Sequence, residues 1–277
     1  MKNVALALAS GGPRGFAFIG AIEVLQERGY HITSVAGASA GSLVGGIFAA
    51  GGLDAFKEWL YGMDAIKVMS LMDFGVSKNY LVKGERVMDA IRERVPEVNI
   101  EDLPIPFAAV ATDLHTGEEV VFREGPLFEA IRASISIPSM FRPVKWKGRT
   151  LVDGGMVNTF PLNRVERTPG DILVGFNVNQ IDADGVRAGR VRERGEDNFK
   201  TILQRSFGIM NGTIARMGIA LCPPDILIDL PFDSYHGVYG YSHAPEIVEV
   251  GRRLTAEALD RYENEGPGAP PADPSGA

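Results

Sequence analysis

Residues 37–41, Gly-Ala-Ser-Ala-Gly, set a serine between two glycines in the pattern Gly-x-Ser-x-Gly. In that pattern the serine occupies a sharp strand-to-helix turn that exposes its hydroxyl. Gly37 and Gly41 are needed because a Cβ at either position would strike the neighbouring strand or helix. A helix beginning behind Ser39 also offers partial positive charge to an anion forming at the serine. The chemistry on offer is attack on a carbonyl carbon; the plain alternative is a close-packed structural turn. A second glycine-rich stretch lies upstream, Ser10-Gly-Gly-Pro-Arg-Gly15. Such turns aim backbone N–H groups at an oxyanion or a phosphate. Pro13 has no N–H, which leaves Gly11, Gly12, Arg14 and Gly15 as donors. The glycine spacing is that of neither nucleotide-binding loop, Gly-x-x-x-x-Gly-Lys-Ser/Thr or Gly-x-Gly-x-x-Gly.

A serine nucleophile needs a base. The chain has four histidines, His31, His115, His236 and His243. The order Ser39, Asp153, then His236 or His243 satisfies the nucleophile–acid–histidine order of α/β-hydrolases. Against it, Ser39 follows only the second strand, earlier than those enzymes place their serine. His31 precedes its strand, at the far edge of the sheet, and His115 falls in a polar turn. Asp153-Gly-Gly155 puts an acid directly after a strand, with glycines that permit close backbone approach, or else is a simple Asp-Gly turn.

The elements that must position these groups alternate. Strands are expected at Val4–Ala9, Thr33–Ala36, Ile105–Ala111, Glu119–Phe122, Thr150–Val152, Asp171–Val178 and Asp225–Leu230. Helices are expected at Phe16–Arg28, from the Ser39 turn towards Ala50, at Pro126–Ser134, Asp197–Met217 and Ala244–Glu263. The first βαβ unit has a right-handed crossover, which sets the Ser10–Gly15 turn beside Ser39 at one edge of the sheet. The fold class is therefore α/β: a mainly parallel central sheet covered by helices on both faces. A single domain is expected over 1–265. Residues 54–95 form an interrupted helical, cap-like insertion, 182–196 an exposed charged connection, and 266–277 a disordered tail.

The chain has 277 residues, 45% of them hydrophobic, and a formal net charge of −7. That is enough for a sizeable core, and it speaks against a nucleic-acid binder, since no basic stripe interleaved with aromatics occurs. Cys222 is the only cysteine; it excludes an intrachain disulfide and a cysteine-built zinc site, and reads as buried filler. No spanning segment is recognisable, and the protein is expected to be soluble and cytoplasmic, with peripheral membrane contact left open. The apolar residues of Asp197–Met217 read as core first, subunit interface second and lipid-facing surface third. The oligomeric state is not legible.

Taken in order, Ser10–Gly15, Gly37–Gly41 and Asp153–Gly155 resemble the three sequence blocks of the patatin-like phospholipases and bacterial acylesterases. Ala111-Thr-Asp-Leu114, Arg132-Ala-Ser-Ile-Ser-Ile-Pro-Ser-Met-Phe-Arg-Pro143 and Asn158-Thr-Phe-Pro-Leu162 resemble further blocks of that family. The chain departs from it at Ser10, where a third glycine is usual, and at Phe18, where histidine is frequent. The resemblance implies a three-layer α/β/α fold and a serine acyl hydrolase acting on lipid or other acyl esters, with neither metal nor cofactor. It implies Ser39 as nucleophile, Asp153 as its base, and Gly11, Gly12, Arg14 and Gly15 as the oxyanion turn. Met63, Met69, Met72 and Phe74 are the expected acyl-chain contacts, since methionine adapts to irregular apolar shapes.

Overall fold

The computed structural model describes residues 2–73, 81–180, 198–231 and 240–266. Its centre is an eight-stranded sheet made of β1 (Lys2–Leu8), β2 (Tyr30–Ala38), β3 (Phe107–Asp113), β4 (Glu119–Phe122), β5 (Val144–Trp146), β6 (Arg149–Asp153), β7 (Ile172–Gln180) and β8 (Ile226–Pro231). Hydrogen-bonded neighbours run β5-β6-β3-β2-β1-β7-β8, with β4 also on β3. The pairs among β3, β2, β1, β7 and β8 are parallel; β4 and β6 on β3, and β5 on β6, are antiparallel. Strand β1 shows why both faces must be covered. Val4, Leu6 and Leu8 enter one core, while the alternating Ala5, Ala7 and Ala9 enter the other.

The helices are α1 (Ala17–Glu27), α2 (Ala40–Ala49), α3 (Leu53–Tyr61), α4 (Ala65–Leu71), α5 (Glu85–Arg92), α6 (Leu127–Ser134), α7 (Phe199–Leu221) and α8 (Ala244–Glu265). The larger core is filled from α1, α2, α3, α5, α6 and α8. The opposite face is covered by Phe160, Leu162, Val165 and, from α7, Ala215. Alanines dominate the strand positions there because the Phe160–Val165 segment lies close against the sheet. The expected elements are present, with ends shifted by a few residues. The sequence reading lacks the β5–β6 hairpin, whose two-residue turn holds Lys147 and Gly148 at φ 44° and 81°. Lys-Gly is a weaker turn signal than Asn-Gly, which hid it. Residues 182–196, His236 and the 267–277 tail lie outside the described residues. Cys222 is partly buried, not fully, against the second core.

The way β3 is shared decides the site. Ala109 and Val110 pair with β4 on one side and with β2 on the other. Ala111 and Thr112 keep β4 on the first side, so β6 continues on the side that β2 has left. Strands β2 and β6 thus meet end to end along one edge of β3, with Ala38 opposite Val110 and Asp153 opposite Ala111. Being antiparallel to each other, they bring their C-terminal ends together. Ser39 follows one end and Asp153 closes the other.

Candidate active site

Ser39 has φ 51° and ψ −120°, a backbone conformation that costs a non-glycine residue about 1–3 kcal/mol and persists only where its surroundings enforce it. The enforcement is visible. A Cβ at Gly37 would lie 2.3 Å from the Gly41 carbonyl, and one at Gly41 would lie 2.2 Å from the Leu8 carbonyl oxygen. The turn can therefore close only with glycine at both positions. The Ser39 N–H donates to Ser134 Oγ at 2.9 Å, and Ser134 Oγ–H donates in turn to the Val110 carbonyl at 2.6 Å. Ser134 thereby ties the strained peptide to β3. It is the main supporting residue that the sequence reading misses; its only signal lay inside the Arg132–Pro143 block.

The Ser39 hydroxyl donates directly to Asp153 Oδ2 at 2.5 Å. Asp153 Oδ1 accepts the Gly155 N–H at 2.7 Å, the Asp153 N–H donates to the Ser136 carbonyl, and its own carbonyl accepts from Thr112 Oγ1. A Cβ at Gly154 would lie 2.1 Å from the Val110 carbonyl oxygen, which explains the first glycine after the aspartate. Burial pushes the Asp153 carboxyl up to about 6, against the lowering effect of the bonds from Ser39 and Gly155. The carboxylate is thus ionised at neutral pH yet holds a proton more readily than an exposed aspartate.

Residues Gly12–Phe16 form a one-turn 3₁₀ helix. The N–H groups of Gly11 and Gly12 stand at its N-terminal end, where a helix supplies no internal partners. Arg14 and Gly15 lie inside the turn, where an i→i+3 pattern offers their N–H groups partners of its own, and Gly15 is also a packing position. A Cβ there would lie 2.4 Å from that of Ala40, behind Ser39. Arg14 is buried, and its Nε donates to the Gly11 carbonyl at 3.2 Å, bracing the turn with its side chain. Ser10 occupies the space that Gly155 leaves open: a Cβ on Gly155 would come within 2.7 Å of Ser10 Oγ. Phe18, where the resemblance leads one to expect histidine, is fully buried edge-on against Phe176.

A buried polar chain reaches this turn from the far side of the sheet. Asp229, opposite Asn177 in the β7–β8 register, accepts from Asn177 Nδ2 at 2.8 Å. Asn177 Oδ1 then accepts the Asn179 N–H at 3.1 Å, and Asn179 Nδ2 donates to the Ser10 carbonyl at 2.6 Å. Asp229 can only accept while ionised, so it orients the Asn177 amide and, through it, Asn179. The Ser10 N–H is held as well, by the Thr159 carbonyl at 2.8 Å. With the Ser10–Gly11 peptide trans, fixing the Ser10 carbonyl points the Gly11 N–H the opposite way.

Of the expected acyl contacts, Met63 and Met72 join a satellite cluster with Val68, Val82 and Phe141. Partly buried Tyr241 belongs to that cluster, packs edge-on to Phe16, and feels the Asp153 charge. Burial first, and that charge second, push its phenol up to about 12. Met69 does not join: it sits on the outer side of α4, 48% exposed. Phe74 lies outside the described residues. His31 and His115 are exposed; His243 stands at the N-cap position of α8 without a side-chain cap bond, its Nδ1 3.3 Å from Ser242 Oγ.

The sheet and the helices on its two faces define the fold class, three-layer α/β/α. A family model described as patatin-like phospholipase matches residues 6–165. An uncharacterised NTE family protein of Mycobacterium tuberculosis is 32% identical over 333 aligned positions, covering 94% of this chain and 92% of its own. Lysophospholipase NTE1 of Cryptococcus neoformans is 26% identical, covering 96% of this chain but only 18% of its own length. Among solved structures, VipD from Legionella pneumophila aligns over 94% of this chain and 66% of its own, with 14% identity and a TM-score of 0.46. The chain belongs to the patatin-like phospholipase family. That membership supports lipid hydrolysis as its activity. Among the described residues, no helix is long and apolar enough to cross a membrane.

Proposed function

We propose that the protein hydrolyses carboxylic esters of lipids through Ser39 and Asp153, without a histidine. The observation that carries this reading is the 2.5 Å bond from the Ser39 hydroxyl to Asp153 on a strained turn. So short a contact leaves no place for an imidazole between the two. As Ser39 Oγ attacks the ester carbonyl carbon, its proton passes to Asp153 Oδ2, whose burial-raised proton affinity suits a general base. The N–H groups of Gly11 and Gly12, with the α2 N-terminus behind Ser39, hold the oxyanion. Collapse of the tetrahedral intermediate breaks the C–O bond, and Asp153 returns the proton to the leaving alcohol. Water, deprotonated by Asp153, then releases the acyl chain from Ser39. The apolar cluster of Met63, Met72, Phe141 and Tyr241, of which Tyr241 feels the Asp153 charge, is the proposed acyl-chain contact, and residues 54–95 its cover. Phospholipid, lysophospholipid and acylglycerol esters all fit this chemistry, and the lipid surface that presents them is the expected peripheral contact.

A fluorophosphonate probe tests the reading, because it phosphonylates an activated serine. Labelling is expected at Ser39, with a rate that falls about tenfold per pH unit below pH 6 as Asp153 takes up a proton. Folded protein that stays unlabelled supports instead a lipid-binding protein on the same scaffold. Labelling that survives Asp153→Asn but is lost in His243→Ala supports a histidine-containing triad.

The Asp229–Asn177–Asn179 chain is proposed to orient the Gly11 donor. Asn179→Leu keeps the shape and removes the donor to Ser10; it also removes Asn179 Oδ1, a buried acceptor without a partner. The expected result is a fall in kcat of tenfold or more with KM little changed, and a parallel loss of affinity for a boronate transition-state analogue. Loss of one donor outright typically costs a factor of about 10²–10³ in kcat. An unchanged kcat would reduce the chain to a structural tie.

A further inference from the structure

Helix α7 is built the reverse of a solvated surface helix. Among its described residues, those it fully buries are small, Gly208, Gly212 and Ala215, the last in the core on the second face of the sheet. Phe207, Ile214 and Ile219 are partly buried, but six other large residues point away: Ile209, Met217 and Leu221 are 58%, 60% and 85% exposed, and Ile202, Leu203 and Met210 are exposed too. A helix meant for water places its large apolar residues inward. The sequence reading ranks the apolar side chains of this helix as core first; these six are instead exposed. Leu203, Met210 and Met217 recur every seven residues, with the small, exposed Ser206, Thr213 and Ala220 between them. A large–small seam of this kind is self-complementary: a second such helix, antiparallel about a two-fold axis, sets large residues against small ones.

We propose that this face of α7 is the interface of a homodimer, occupied by α7 of a second copy of this chain. The proposal is independent of the chemistry at Ser39, and two observations favour it. The first is area. The six large residues expose on the order of 600 Å², so that two copies would bury about 1,200 Å², the lower bound of a stable protein–protein interface. The second is direction. Strand β7 ends at the Ser10 turn and the parallel β8 starts at the opposite edge, so α7 runs back over about 35 Å, away from the Ser39 edge. A bilayer presented to that edge would meet only the first turns of α7, whereas the most exposed residues, Met217 and Leu221, lie at the far end.

Sedimentation velocity on the full chain tests this. The wild type is expected to sediment as a dimer at micromolar concentration. A Met210→Glu/Met217→Glu double variant is expected to sediment as a monomer, with melting temperature and ester turnover unchanged. A wild type that stays monomeric overturns the proposal, as does a dimer that the double variant leaves intact. Flotation with phosphatidylcholine–phosphatidylglycerol vesicles adds a second arm: a monomer whose vesicle binding is lost in the double variant would assign the face to lipid and also overturn it.

Discussion

Ser39→Ala is expected to lower ester turnover by a factor on the order of 10⁴ or more, with KM little changed and the melting temperature within a few degrees of the wild type. The magnitude follows from the role proposed for the hydroxyl. It is the atom that bonds to carbon, and the remaining oxyanion donors cannot replace a covalent step. The small effect on folding follows from how the turn is held. Its geometry depends on Gly37, Gly41 and the Ser39 N–H bond to Ser134, all of which survive loss of the hydroxyl. Hydrolysis of a medium-chain p-nitrophenyl ester, with circular dichroism melting on the same sample, checks both halves. Turnover within tenfold of the wild type would remove Ser39 from the chemistry.

Asp153→Asn is expected to separate activity from stability. Turnover should fall about 10³–10⁴-fold, since a neutral amide cannot take the Ser39 proton. Stability at neutral pH should rise. A carboxyl that titrates near 6 when folded and near 3.8 when unfolded weakens the folded state above pH 6 by on the order of 3 kcal/mol. The sign is fixed by which state holds the proton. Below about pH 4 both states are protonated and there is no penalty. Between about pH 4 and 6 the unfolded chain releases its proton first, so stability drains away as pH rises; above 6 the loss is complete. The amide has no such titration. The variant should therefore unfold at higher urea than the wild type at pH 7.5, and the gap should close by about pH 4. A variant less stable at pH 7.5 would mean that the Ser39 and Gly155 bonds to the carboxylate outweigh its burial.

Much of the site is legible in the chain itself because its requirements are local. Gly37 and Gly41 are demanded by contacts within one strand–turn–helix unit and with the adjacent β1, and a Gly-x-Ser-x-Gly pattern announces that. Asp153 could be nominated from its place after a strand and before two glycines. The donor turn was legible less finely. Four N–H groups look equivalent in sequence, and only the 3₁₀ geometry of Gly12–Phe16 separates the terminal Gly11 and Gly12 from Arg14 and Gly15 inside the turn. The Met63–Met72 stretch divides for a similar reason: one side of α4 puts Val68 in the cluster with Tyr241 while Met69 faces out.

By itself, then, the sequence determined the alternation of strands and helices, the right-handed first crossover, the two glycine-built turns and the candidate pair of Ser39 and Asp153. Hydrophobic period and backbone conformational demand act over a few residues and leave a readable pattern. Only the tertiary structure decided that β2 and β6 meet end to end on β3, which brings residues 114 positions apart into a 2.5 Å hydrogen bond. It alone placed Ser134 under the Ser39 peptide and Asn179 on the Ser10 carbonyl, and it alone buried Asp153 enough to raise its proton affinity. Those are properties of long-range register and of solvent exclusion, and no short stretch of sequence carries either.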